Sequence, residues 1–125
     1  MTTPKNYMYT TSHEWVEITG DTMKVGLTEY AAEQLGDLVF INMPEVGDET
    51  EAEESLGDIE SVKAVSDLYS PATGEVVAVN EDAIDDPASI NADPYAVWLV
   101  EIGNITAQRE LLTPEQYDEL LAEEA

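Results

Sequence analysis

The sequence predicts a mainly β fold: a small sandwich or barrel of short strands with short helices at its edges. Three observations predict it. Short apolar or alternating runs recur along the chain, separated by Gly, Pro, Asn and Asp. Only two stretches combine helical spacing with start and stop residues. And one seven-residue pattern occurs twice: "GDLVFIN" (36–42) and "GEVVAVN" (74–80) share Gly, acid, apolar, Val, any, Ile or Val, Asn at an offset of 38 residues. "GD" at 47–48 falls opposite "DD" at 85–86 at the same offset. Two matched halves predict a pseudo-symmetric sandwich. At 125 residues one domain (1–125) is the expectation, with its core in about 9–102 and a C-terminal helix over about 113–124. That length buries roughly two-thirds of the surface the unfolded chain exposes.

The elements follow in order. "EWVEI" (14–18) alternates apolar and polar, "TGD" turns, and "TMKVGL" (22–27) completes a hairpin. "TEYAAEQL" (28–35) reads as a short helix with Thr28 as N-cap and Gly36 as its stop; Tyr30, Ala31 and Leu35 stand at near-helical spacing. "DLVFINM" (37–43) is a strand, ended by Pro44 and "VGDE". Residues 45–60 hold eight acids in sixteen positions and read as solvated loop and edge strand. "SLGDIESV" (55–62) and "VSDLYS" (65–70) are two short strands around Val62-Lys63-Ala64. "PATGE" (71–75) is a turn and "EVVAVN" (75–80) a strand. Residues 81–94 are loop with one helical turn, and "YAVWLVEI" (95–102) is a buried strand. "TPEQYDELLAEEA" (113–125) opens with Thr113 as N-cap, Pro114 at the first helical position and Gln116 at the third, a capping box. Tyr117, Leu120 and Leu121 mark its inner face.

Charge is the outlier of the composition. Twenty-eight acids against four Lys and Arg give a formal charge of −24. Nucleic acids and anionic membranes are poor partners, because phosphate contacts need cations. Such a surface repels itself in ordinary buffer. At about 1 M salt the Debye length falls to roughly 3 Å and the repulsion is screened. The charge is therefore read as adaptation to a high-salt, halophilic cytoplasm; the alternative is an acidic docking surface for basic partners. The start, "MTTPKNYMYTTSHEW", lacks an apolar signal-peptide core, so a cytoplasmic location is expected. "NIT" at Asn104 is then a chance sequon.

A conventional catalytic centre is hard to assemble. The chain has no cysteine and one histidine, His13, whose place at the start of a strand favours a structural hydrogen bond over a general base. No G-x-S-x-G and no glycine-rich phosphate loop occurs. "NEDAIDDP" (80–87) resembles a calcium loop in composition alone, without the sixth-position glycine or twelfth-position glutamate. No catalytic residue and no metal site is expected.

That leaves Lys63. It is the only positive charge between Lys24 and Arg109, in a stretch (25–108) carrying 19 acids. At a hairpin tip it is either an ordinary exposed lysine, paired with Glu60 or Asp67, or a modification site whose amine becomes an amide and loses its charge. A tight turn suits the second role, presenting the lysine to a modifying enzyme and holding an attached arm clear of the domain.

"YTTSHEWVEI", "GLTEYAAEQLGDLVFINMPEVGDE", "ESVKAVSDLYSPATGEVVAVNE" and "INADPYAVWLVEI" together resemble the glycine cleavage H-protein family, in the family's order, from about Tyr9 to Leu121. "ESVKA" followed by "SDLYSP" is the specific motif; biotin carriers show Ala-Met-Lys-Met around their lysine, where this chain has Val62-Lys63-Ala64. The resemblance implies a barrel-sandwich hybrid of two pseudo-symmetric sheets, with lipoate in amide linkage on Lys63. It implies a non-catalytic carrier that shuttles an aminomethyl intermediate and reducing equivalents among three enzymes. These are a pyridoxal-phosphate glycine decarboxylase, a tetrahydrofolate-dependent aminomethyltransferase and a dihydrolipoyl dehydrogenase. A lipoate ligase or a lipoyl/octanoyltransferase would attach the arm. Ser12, Glu14 and Asp67 match the family's cleft for the loaded arm, with Glu14 as ammonium partner and Ser12 and Asp67 as hydrogen-bond partners. Val97 departs from the glycine that commonly precedes the Trp of the last strand, which puts the backbone at Trp98 in question. Partner docking is expected through Val62, Val65 and Leu68, because charge steering is weak in salt. The alternatives are a lipoyl relay in lipoate metabolism and an unmodified acidic binding module. An acyl carrier is excluded, since its Asp-Ser-Leu arm site is absent.

Overall fold

A computed structural model describes residues 3–124. Nine strands form two antiparallel sheets, with four helices among the described residues. The six-stranded sheet contains β1 (Met8–Tyr9), β2 (Glu14–Thr19), β3 (Thr22–Leu27), β5 (Glu49–Thr50), β8 (Ala72–Val79) and β9 (Val100–Gln108), in the order β1-β2-β3-β9-β8-β5. The three-stranded sheet is β4 (Leu38–Asn42), β6 (Ser55–Ser61) and β7 (Val65–Tyr69), with β6 central.

The hairpin of β2 and β3 forms as expected, with Gly20 at φ 61 in its turn. Helix α1 (Glu29–Leu35) is capped by Thr28, whose side chain accepts from the Ala31 amide, and closed by Gly36 at φ 81. Its buried residues are Ala32 and Leu35, while Tyr30 and Ala31 are half-buried. Helix α4 (Pro114–Glu124) has the predicted capping box: the Gln116 amide donates to Thr113 Oγ1 (3.2 Å) and the Thr113 amide to Gln116 Oε1 (2.9 Å). Tyr117 is fully buried against Tyr9, with Leu120 and Leu121 packed alongside.

Four expectations need correction. Strand β8 begins at Ala72, inside the predicted turn. Residues 81–94 hold two short helices, α2 (Glu81–Asp85) and α3 (Ala88–Ala92), rather than one turn. The last strand starts at Val100, not residue 95; the chain turns at Pro94-Tyr95-Ala96 and β9 runs on to Gln108. Val97 adopts no positive φ, so a glycine is not required before Trp98.

The two copies of the echo lie in different sheets, β4 in the smaller and β8 in the larger. The sheets are unequal in strand number, and the echo does not extend to the second pair: Gly47 sits at φ 100, whereas Asp85, opposite it at the offset of 38, is the last residue of helix α2. One core cluster joins α1, α2 and α3 to the small sheet through Leu35, Leu38, Ile41, Ile59, Leu68 and Ile90. A second cluster joins β2, β3, β8 and β9 through Val16, Val25, Ala72, Val100 and Ile102.

Candidate functional site

The hairpin of β6 and β7 projects Lys63 at its tip. Residues pair as far as Glu60 opposite Val65, leaving Ser61 to Ala64 to turn. Ser61 organises that turn. Its amide donates to the Ala64 carbonyl (2.8 Å), and its Oγ accepts from the amides of Lys63 (3.3 Å) and Ala64 (3.0 Å). The Val62 amide donates to the Asp37 carbonyl (3.1 Å), tying the tip to the chain leaving α1. Gly36 lies under the lysine stem; a Cβ there would stand 3.4 Å from Lys63 Cε. Lys63 is exposed, and among the described residues it forms no ion pair with Glu60, Asp67 or any other acid. The ordinary reading of a salt-bridged tip lysine loses its partner.

Beside the hairpin is a cleft of about 160 Å³ between the start of β2, α1 and β7. Ser12, His13, Glu14, Tyr30, Ser66 and Asp67 line it, with Leu27, Ala31 and Leu35 as its apolar floor. The structure thus brings Ser12, Glu14 and Asp67 together. Glu14 is only 1% exposed, so it is no surface strand residue. Its Oε1 accepts from Thr10 Oγ1 (2.5 Å) and Ser12 Oγ (2.6 Å), and its Oε2 from the Tyr69 amide (3.2 Å). A carboxylate offers about four acceptor positions. Oε1 is filled by two hydroxyls; Oε2 has one donor and retains capacity for another. Asp67 lies within β7 rather than in a turn, is exposed, and stands at the rim with Ser55 Oγ 3.5 Å from its Oδ1.

His13 has the structural role expected of it. It sits at φ 71, with Nδ1 2.9 Å from the Tyr117 hydroxyl and Nε2 2.9 Å from Glu124. The Tyr117 hydroxyl also meets Thr28 Oγ1 at 2.7 Å, so one chain of contacts links α4, the cleft wall and the α1 cap.

Sequence reasoning misses Arg109. It follows β9, its side chain 10% exposed, and donates from Nη1 to Ser12 Oγ (3.0 Å) and from Nη2 to Thr11 Oγ1 (2.8 Å). Nη1 is also 3.9 Å from Glu14 Oε1. Its one sequence signal is scarcity, as one of four basic residues in the chain. The docking expectation is corrected in part: Val62 and Val65 are 77% and 65% exposed, but Leu68 is fully buried. Phe40, 61% exposed, takes its place. Cross-strand register aligns Phe40, Glu60 and Val65 across the small sheet, on one face.

A two-sheet β scaffold with an exposed lysine at a braced hairpin tip, beside a cleft built on a buried carboxylate, defines a class: small carrier domains that present one lysine. The comparisons name the family. The model of the "Glycine cleavage H-protein" family matches residues 7–124, and the chain belongs to that family, a carrier subunit of the glycine cleavage system. It is 50% identical over 121 residues to the glycine cleavage system H protein of Lachnoclostridium phytofermentans, covering 96% of this chain and 95% of that one. It is 49% identical over 124 residues to that of Carboxydothermus hydrogenoformans, covering 97% and 95%. The crystal structure of a glycine cleavage system H protein from Mycobacterium marinum superposes with a TM-score of 0.90 at 48% identity, covering 95% of this chain and 98% of that one.

Proposed function

We propose that this chain is one carrier domain bearing lipoate in amide linkage on Lys63. In this reading it moves an aminomethyl cargo from glycine decarboxylase to the tetrahydrofolate-dependent aminomethyltransferase, then electrons to dihydrolipoyl dehydrogenase. The observation that carries it is the exposed Lys63, which forms no ion pair among the described residues, on a Ser61-braced tip beside the Glu14 cleft. When bound, the arm supplies a disulfide that takes up cargo and two electrons; the protein supplies position and shelter.

The residues fit such an arm. Asp67 is four residues from Lys63 along the chain, so at about 3.3 Å per residue the two stand no more than roughly 13 Å apart. Three backbone bonds span at most ~3.6 Å, so an arm of about a dozen bonds from Cα reaches roughly 14 Å. The cleft therefore lies within reach of the arm's far end. There Glu14 Oε2 offers its open acceptor position to the cargo's ammonium. Ser12 holds Oε1, Asp67 closes the rim, and Leu27, Ala31 and Leu35 exclude water that would hydrolyse the cargo.

Enzymes that handle Lys63, including the lipoate ligase or lipoyl/octanoyltransferase that would load it, meet Phe40, Val62 and Val65 first. Apolar contacts of this kind survive salt that screens charge steering. The fold of this reading is a barrel-sandwich hybrid, supported by the echo's copies lying one in each sheet. A cytoplasmic location fits it; among the described residues no helix is long and apolar enough to cross a membrane.

The test is the intact mass of the protein purified from its native host. An increase equal to one lipoyl group, mapped to Lys63, supports the carrier. Unmodified protein overturns both it and a lipoyl relay, leaving an acidic binding module. Reconstitution with the three partner enzymes separates glycine cleavage from relay.

A further inference from the structure

We infer that Arg109 sets the charge of the cleft, neutralising Glu14 in the empty state so that the site accepts one ammonium group. The inference rests on the proposed cargo cleft and names what tunes it. Arg109 touches no cargo position; it is a positioning residue.

Four observations carry it. Basic residues are scarce, four in 125, and the other three stand elsewhere: Lys5 is exposed beside Glu115, Lys24 lies over Trp98, and Lys63 is at the tip. Arg109 alone is placed at a buried acid, its side chain 10% exposed against 1% for Glu14. Its Nη1 donates to Ser12 Oγ, and that hydroxyl donates onward to Glu14 Oε1. The guanidinium thus fixes which way the Ser12 proton points; that hydroxyl and Thr10 Oγ1 fill Oε1, leaving Oε2, with the Tyr69 amide as its one donor, as the oxygen with room for another. Finally, the charges count simply. Glu14 and Asp67 give two negative groups in the cleft lining, and Arg109 cancels one. His13, which also lines the cleft, is engaged by Tyr117 and Glu124, and Tyr30 is a phenol. The remaining single charge matches one ammonium. Because Arg109 and Glu14 are buried, salt screens this cancellation far less than it screens the exposed acids.

The test uses the full, unlipoylated chain at the lowest salt that keeps it folded. Propylammonium and propane-1,3-diammonium are titrated at neutral pH, and the Tyr69 amide, which donates to Oε2, is followed by NMR. Arg109→Gln keeps N–H donors for Ser12 and removes the charge. Its preference for the dication over the monocation should rise about tenfold relative to wild type, the effect of one added unit charge. Arg109→Lys should keep the wild-type ratio. Structural damage alone would weaken both ligands and leave the ratio unchanged. An unchanged ratio in Arg109→Gln overturns the inference. Should that variant fail to fold, Asp67→Asn at the exposed rim tests the same count. It should cut propylammonium affinity several-fold, and unaltered affinity overturns the proposal. Lifetimes of the loaded, lipoylated chain separate this from the cargo reading. If the ratio shifts but Arg109→Gln and Glu14→Gln leave the loaded form's decay unaltered, Arg109 still sets the cleft's charge and the arm lodges elsewhere.

Discussion

At Tyr117 the C-terminal helix meets the cleft wall through a single hydroxyl. It shares hydrogen bonds with Thr28 and His13, and its ring stacks on Tyr9 with centroids 4.6 Å apart. Burial pushes both phenols well above the ordinary tyrosine value of 10.0. A phenol whose folded value is raised gives stability that is fully present below its unfolded value and is lost as pH climbs towards the folded one. Stability should therefore hold from neutral pH to about pH 10, then fall as the unfolded chain sheds protons the folded one keeps. Tyr117→Phe should flatten that alkaline slope, at a cost of roughly 1 kcal/mol at neutral pH for the lost hydrogen bonds. Urea titrations across pH check both; an unchanged slope in the variant would reassign it. Glu14 belongs to the same scale. Glu14→Ala would leave Arg109 buried without its partner, so Glu14→Gln is the cleaner probe. Losing the charge-assisted contact should speed decay of the loaded arm about tenfold, read by mass spectrometry of the isolated carrier. Ser12, Glu14 and Asp67 are legible in the sequence only through their motif. Arg109 is not legible, because a fold spanning 97 residues brings it to Ser12 and no local pattern marks it.

At the scale of elements, legibility follows locality. The hairpin of β2 and β3, the α1 cap, the capping box of α4 and the lysine hairpin are all written within a few residues of themselves, and all form. The last strand is not local. Its second half, "GNITAQ", is mostly exposed and polar and carries no strand pattern of its own; pairing with β8 makes it strand, with a register shift between Thr73 and Glu75. Leu99, just outside it, still donates to the Val25 carbonyl and accepts from the Asn80 amide. The predicted turn at "PATGE" fails for a related reason. Gly74 serves there to let β8 lie close against the Gly103 carbonyl rather than to reverse the chain. Gly57 does the same at the base of the lysine hairpin, where a Cβ would overlap the Asn42 carbonyl oxygen of β4. Gly57→Ala must push β4 from β6 or strain the β6–β7 bulge between Ser55 and Gly57. A loss of roughly 2 kcal/mol or more is expected, the range of backbone-strained glycine substitutions. Faster amide exchange should appear in β4, β6 and β7 before the six-stranded sheet. Uniform exchange across both sheets would mean the hairpin base is not an independent weak point.

The whole molecule is dominated by its charge, and its ion pairs do little to offset it. Of three pairs among the described residues, one joins exposed Lys5 and Glu115 at 3.8 Å, one involves His13, and one is the buried Arg109 and Glu14. Exposed pairs contribute about 0–1 kcal/mol each, whereas a net charge of −24 on a chain this small repels itself over every separation shorter than the Debye length. Salt therefore screens much repulsion and little attraction, and the sign of its effect follows. The urea midpoint should rise steadily between about 0.05 M and 2 M KCl, with most of the gain by about 1 M, where the Debye length is roughly 3 Å. Chloride is the right anion, since sulfate strengthens apolar burial in any protein and would mimic the result. A flat midpoint over that range would sink the high-salt reading and leave the acids as a docking surface. Salt would then weaken binding of basic partners instead of firming the fold, a distinction that one titration with and without such a partner decides.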